Sequence, residues 1–182
     1  MNWLKKKILG DNTNSVDGSV KNESWHQARL PVRHGGLGIR TSEHLAASAF
    51  LASHFATEDL VARILTPVNL DRRPDPEEAL TCWRGRVPDA PLPLDKTKQK
   101  AWDEPVCTRE YEELLANADQ VDRARLLAAS VDDSGSWLHA LPTPTLGTLM
   151  DEECLRITIA LRIGAEVCQP HRCGEMDTVL TV

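Results

Sequence analysis

Apolar positions along this chain recur at helical spacing rather than in the alternation of a strand. Leu45, Ala49, Ala52 and Ala56 fall at i, i+4, i+7 and i+11, a stripe of mostly small side chains with Phe50 and Phe55 beside it. Thr41 or Ser42 is placed to cap that helix, with Glu43 in its first turn. Thr57-Glu58-Asp59 restarts helicity through Val61, Ile64 and Leu65, ending ahead of Thr66-Pro67. Asp75-Pro76-Glu77-Glu78 combines a cap, a proline at the first helical position and a glutamate three residues after the cap, so a short helix with Leu80, Cys82 and Trp83 follows. Asp95 caps a helix carrying Trp102 that ends before Pro105, and Thr108 opens another on Tyr111, Leu114 and Leu115. Asp119 begins a helix whose apolar face is Val121, Ala124, Ala128 and Val131. The last helix runs from Leu149 to Ile163, with Asp151, Glu152 and Glu153 at its positive end, Arg162 in its last turn and Gly164 as its stop. The predicted fold is mostly α: short helices joined by Pro/Gly-rich loops, with no substantial sheet.

The breaks between these segments give four regions. Residues 1–23 are a polar, glycine-containing lead-in without periodicity. Residues 24–66 hold an extended segment, a glycine turn and Ala-rich helices; Leu30 precedes Pro31 and is biased towards an extended conformation. Residues 67–135 carry the short helices and a connector with three prolines between Val87 and Leu94, and residues 136–182 hold a linker helix and a partial Cys/His tail. Gly35, Gly36 and Gly38 around Leu37 read as a structural turn. A phosphate-cradling loop would need the Lys-Ser/Thr that is missing here, and a dinucleotide fold would need a strongly apolar strand ahead of it.

Composition changes this picture little. With 182 residues, 41% hydrophobic and 26% charged, the chain is long enough for a real core and ordinary for a globular protein. Five irregularly spaced cysteines do not make a disulfide framework, which places the chain in a reducing, intracellular compartment, cytoplasmic or nuclear. No signal peptide or membrane span is expected. Charge matters more. The net −6 opposes tight autonomous binding of nucleic acid. Its distribution is uneven, however: residues 25–40 have three arginines, two histidines and no acid, whereas residues 103–122 have seven acids against Arg109 alone. Arg29, Arg33, His34 and Arg40 are therefore the candidates for contacts to an RNA or DNA backbone, by charge and turn geometry.

Two blocks carry a family likeness. Ala28-Arg-Leu-Pro-Val-Arg-His-Gly-Gly-Leu-Gly-Ile-Arg40, with Leu45-Ala46 and Ala49-Phe50-Leu51-Ala52-Ser53 after it, resembles the region downstream of the polymerase domain in non-LTR retrotransposon reverse transcriptases. Residues 136–154, beginning Ser-Trp-Leu-His-Ala-Leu-Pro, continue to Leu161-Arg-Ile-Gly164 and Cys168-Gln-Pro-His171 and resemble the linker that leads to a Cys/His segment and then an endonuclease. The resemblance implies a thumb-like and linker region that helps position template and primer. It also implies that the chemistry lies elsewhere. Polymerases of this kind carry metal-binding aspartates in a Tyr-x-Asp-Asp-like motif, and the Asp132-Asp133 pair of this chain sits in Ser-Val-Asp-Asp-Ser instead. The chain is accordingly expected to be non-catalytic. The alternatives are a helical protein-interaction module, meeting a partner helix through Leu45, Ala49, Ala52 and Ala56, and an inert retrotransposon remnant.

Other chemistry is sparse. Cys168, His171 and Cys173 form the one metal-like cluster, of a kind that suits zinc, but tetrahedral structural sites take four ligands and the family's run is longer. Cys154 is a poor fourth candidate, and no cofactor is expected beyond zinc at that cluster. Asp133-Ser134-Gly135 matches the aspartic-protease triplet without the apolar strand that should precede it. Ser136 and His139 lack the turn that would make a nucleophile and its base of them.

Overall fold

The computed structural model describes residues 22–65 and 75–165, together with the backbone of residues 171–172 and 179–180. Six α-helices account for most of these: α1 (Asn22–Arg29), α2 (Ser42–Leu65), α3 (Glu77–Arg86), α4 (Gln99–Asn117), α5 (Gln120–Ala129) and α6 (Glu152–Ile163). Short 3-10 turns lie at Val32–His34 and Ser136–His139. Among the described residues the strand content is one antiparallel pair, β1 (His171–Arg172) with β2 (Val179–Leu180). The mostly α expectation therefore holds, and no described helix is long and apolar enough to cross a membrane. The lead-in of residues 1–21 lies outside the described residues.

Contacts group the chain into two compact units, one of residues before Arg40 together with those from Leu114 on, the other Arg40–Glu113. In the first, Trp25 and Ala28 of α1 pack on Ile163 of α6, with Leu37, Ile39, Ile159 and Ala165 around them. The extended conformation expected upstream of Pro31 is confined to the proline's neighbourhood. Residues 22–29 are helical, because Glu23 and the pair His26/Arg29 suit the two ends of the helix dipole and Trp25 and Ala28 share a buried face. The chain then doubles back. The Ala28 carbonyl accepts from both Leu37 and Ile39 N–H at 3.2 Å, and the Leu30 carbonyl accepts from Gly38 at 2.9 Å, which satisfies the end of α1. Gly36 is needed at this crossing, since a Cβ there would overlap the Leu30 carbonyl.

The second unit is built on tryptophan. Leu51 and Ala52 of α2, Trp83 of α3, Val87, and Trp102 and Val106 of α4 form its buried core, with Phe55 stacked on Trp102 at 5.8 Å between ring centroids. Both indole N–H groups are satisfied, Trp83 by the Trp102 carbonyl and Trp102 by the Lys96 carbonyl, each at 2.8 Å. The core face of α2 is Ser48, Leu51, Ala52 and Phe55, rotated from the stripe read in the sequence; Ala52 belongs to both sets.

Two boundary expectations and one face are corrected. Residues 42–65 make one helix rather than two, and Thr57, expected to restart it, turns its hydroxyl back to the Ser53 carbonyl at 2.8 Å. Pro105 lies inside α4 and does not end it; burial of Trp102, Asp103, Val106 and Cys107 on both sides of the proline outweighs the lost backbone bond. On α5 the expected face is outward, with Val121 and Val131 exposed; Leu126 and Ala129 are buried and Asp122 and Arg125 half-buried beside them. The caps expected at Thr41 and Asp119 hold, whereas Asp95 bonds Thr97 ahead of α4, Thr108 lies inside α4, and the last helix starts at Glu152 rather than Leu149, with Asp151 as its cap. Thr41, Asp119 and Asp151 accept from backbone N–H groups at the starts of α2, α5 and α6, and Asp75 accepts from Glu77 N–H at 3.0 Å.

Candidate nucleic-acid interface

Arg29 closes α1, and Arg33 and His34 lie in the 3-10 turn Val32–His34, so three of the four candidate residues belong to the first unit. Arg33 is exposed, whereas Arg29 Nε and His34 Nε2 are buried atoms. Arg40 belongs to the second unit and is committed there. Its guanidinium grips Asp103 through two bonds of 2.7 and 3.2 Å, with the two side chains 18% and 11% exposed. A bidentate pair this enclosed is a packing element, and a phosphate would have to compete with it.

The turn bearing Arg33 is fixed by a residue that charge and spacing did not single out. Arg162, on the last turn of α6, is buried at 8% exposure. Its Nε donates to the Gly36 carbonyl at 3.2 Å and one terminal nitrogen to Ser134 at 3.2 Å, while the other donates to Val32 at 2.9 Å and Ala129 at 3.1 Å. Four of its five N–H donors thus end on main-chain carbonyls. Burial lowers its pKa. Oxygens at the C-terminal end of α5, where the helix dipole is negative, offset part of the lost hydration.

Gln27 and Arg125 extend this network. Gln27 Nε2 donates to the carbonyls of Gly35 and Arg162 at 2.9 and 3.0 Å, and its Oε1 accepts from Arg125 at 2.6 Å. Arg125 also donates to the Arg162 carbonyl at 2.8 Å and pairs with Asp122 at 2.9 Å. Glu23, Ser24, Gln27, Asp122 and Arg125 border a cleft of about 30 Å³, room for a single water. Arg162 was read from sequence only as a cation near a helix end. The available signal was its place on the apolar face of α6, between Ile159 and Ile163.

Asp133-Ser134-Gly135 is a turn in this unit. Asp133 has φ 65° and accepts from the Ser136 hydroxyl at 3.2 Å, and the Ser134 hydroxyl donates to the Ala129 carbonyl. Gly135 is buried where a Cβ would overlap Val32. Ser134 and Gly135 are therefore tied into the packing of the unit, while Asp133 is an exposed turn residue. Of the metal candidates, Cys168 and Cys173 lie outside the described residues, and His171 is described only by its backbone pairing with Leu180. Among the described residues no group of three or more His, Cys, Asp or Glu side chains is arranged to hold a metal. Cys154 is exposed at the start of α6.

Comparison with protein-family models, with curated protein sequences and with solved structures gives no match to this chain.

Proposed function

We propose that this chain is a non-catalytic helical module of the kind found between the polymerase and the endonuclease of non-LTR retrotransposon proteins, and that it helps position template or primer through contacts to the nucleic-acid backbone. One observation carries the reading. The two sequence blocks that bear the family resemblance are far apart in the chain, yet Arg162 of the second donates to Val32 and Gly36 of the first. The parts that meet, residues 28–39 of the first block and Leu161–Gly164 of the second, belong to one packing unit, which gives their joint presence in the sequence a physical reason. The chemistry is compatible: an exposed Arg33 stands on a turn in a stretch without acids, suited to phosphate contacts that carry no sequence information. The test is a mobility shift of single-stranded RNA and DNA at low salt. A shift lost in Arg29→Ala/Arg33→Ala supports the reading, and no shift at micromolar protein sinks it.

A second reading, a protein-interaction module, draws on Val121, Val131, Leu141, Leu146 and Leu149 of the first unit, all more than half exposed. A stable, salt-indifferent complex or self-association would favour it. The stripe of Leu45, Ala49, Ala52 and Ala56 is the weaker surface for such a partner, because Ala52 is buried in its own unit. A chain with neither a cooperative melt nor a partner would be an inert remnant.

A further inference from the structure

We propose that Arg162 is a positioning residue for the basic turn, clamping the Val32–Gly36 backbone against the end of α5 so that Arg33 is presented on a fixed frame. The inference deepens the nucleic-acid reading above and rests on it. Two of the four Arg162 bonds end on the turn, at Val32 and Gly36, and two on the end of α5 and the loop after it, at Ala129 and Ser134. A planar guanidinium can bridge carbonyls on both sides at once, while an ammonium with three tetrahedral donors cannot match that pattern. Gln27 grips the same turn from its other side through Gly35, and it also bonds the Arg162 carbonyl, so the clamp is itself anchored. Gly36 and Gly135 pack too closely for any side chain, which leaves the turn no slack to reorient.

The test combines backbone hydrogen exchange with oligonucleotide binding on the full chain, comparing wild type with Arg162→Lys, which preserves charge. In the wild type the Gly36 and Gly38 amides should open together with the last turn of α6. In Arg162→Lys those amides should exchange at least about tenfold faster, with the Val87 amide of the other unit unchanged. Affinity for a single-stranded RNA 20-mer should fall, and the slope of log affinity against log salt should become shallower by about one, the loss of one phosphate contact. Mere destabilisation would leave that slope alone. Wild-type exchange at Gly36 and Gly38 in the variant overturns the clamp. So does a wild-type turn that opens independently of α6, and this comparison decides the matter should the variant not fold. A wild-type chain that binds no oligonucleotide sinks the functional reading instead, and the exchange pattern then judges the clamp alone.

Discussion

Trp83 meets Trp102 edge to face, 5.2 Å between ring centroids at 86°, and donates its indole N–H to the Trp102 main-chain carbonyl at 2.8 Å. One residue thus supplies both a large buried apolar surface and a bond that orients it. Trp83→Phe keeps most of the surface and removes the indole bond to a carbonyl inside α4, and should cost about 0.5–1.5 kcal/mol. Trp83→Ala should cost about 3–5 kcal/mol. Urea unfolding followed by near-ultraviolet circular dichroism separates the two.

The Arg40–Asp103 pair predicts an asymmetry. Asp103→Ala leaves an enclosed guanidinium without its carboxylate and should cost about 3 kcal/mol, whereas Arg40→Met/Asp103→Leu should recover most of that loss. A double-mutant cycle on thermal unfolding measures the coupling. If Arg40 instead serves nucleic acid, Arg40→Ala would weaken binding without lowering the melting temperature.

Two glycines should respond in opposite directions. Gly85 lies within α3 with open space around a notional Cβ, so Gly85→Ala should stabilise by about 0.5–1 kcal/mol. Gly135→Ala drives a methyl into Val32 beside Arg162 and should destabilise by about 1–3 kcal/mol. Thermal melts of the two variants give the signs directly.

Asp95 accepts from the Thr97 hydroxyl at 2.6 Å and from its N–H at 3.1 Å, and these bonds with the adjacent Lys98 pull its pKa down to about 2. A carboxyl lowered by folding contributes stability that is complete above its ordinary value of 3.8 and is lost as pH falls towards 2. Thr97→Ala removes the largest cause, so the Asp95 pKa should rise in an NMR titration of its carboxyl carbon.

Asp151 caps α6 and raises the pKa of Cys154, first by hydrogen bonding with the thiol and then by its charge. Asp151→Asn should lower the Cys154 pKa and speed its alkylation at pH 8, measured against exposed Cys82 as an internal control. An unchanged ratio would mean that the carboxylate does not govern the thiol.

Most helices were legible in the sequence because their signals are local: Asp119 and Gly164 act within a turn of where they stand, although Asp95 and Thr108 start no helix. Faces were less legible. Val121 and Val131 are as apolar as the positions that turn inward, and the choice fell to Arg125, whose partners Gln27 and Arg162 lie far away in the chain. Pro105 misled for a similar reason, since its penalty is local and the packing that overrides it is not. Of the candidate site, charge identified Arg33 on its exposed turn. It also nominated Arg40, whose partner Asp103 is 63 residues away, and passed over Arg162, whose work is done entirely on backbone oxygens.

The two units differ in how much chain each must gather before it can form. Arg40–Glu113 is continuous, so its tryptophan core is complete as soon as that stretch leaves the ribosome. The other unit cannot close until Arg162 and Ile163 have been synthesised, more than 120 residues after the turn they hold. At typical translation rates of about 5–20 residues per second, α1 waits roughly 6–25 seconds before Ile163 can cover Trp25 and Ala28. Through that interval a tryptophan buried in the finished unit stays open to chaperones and proteases.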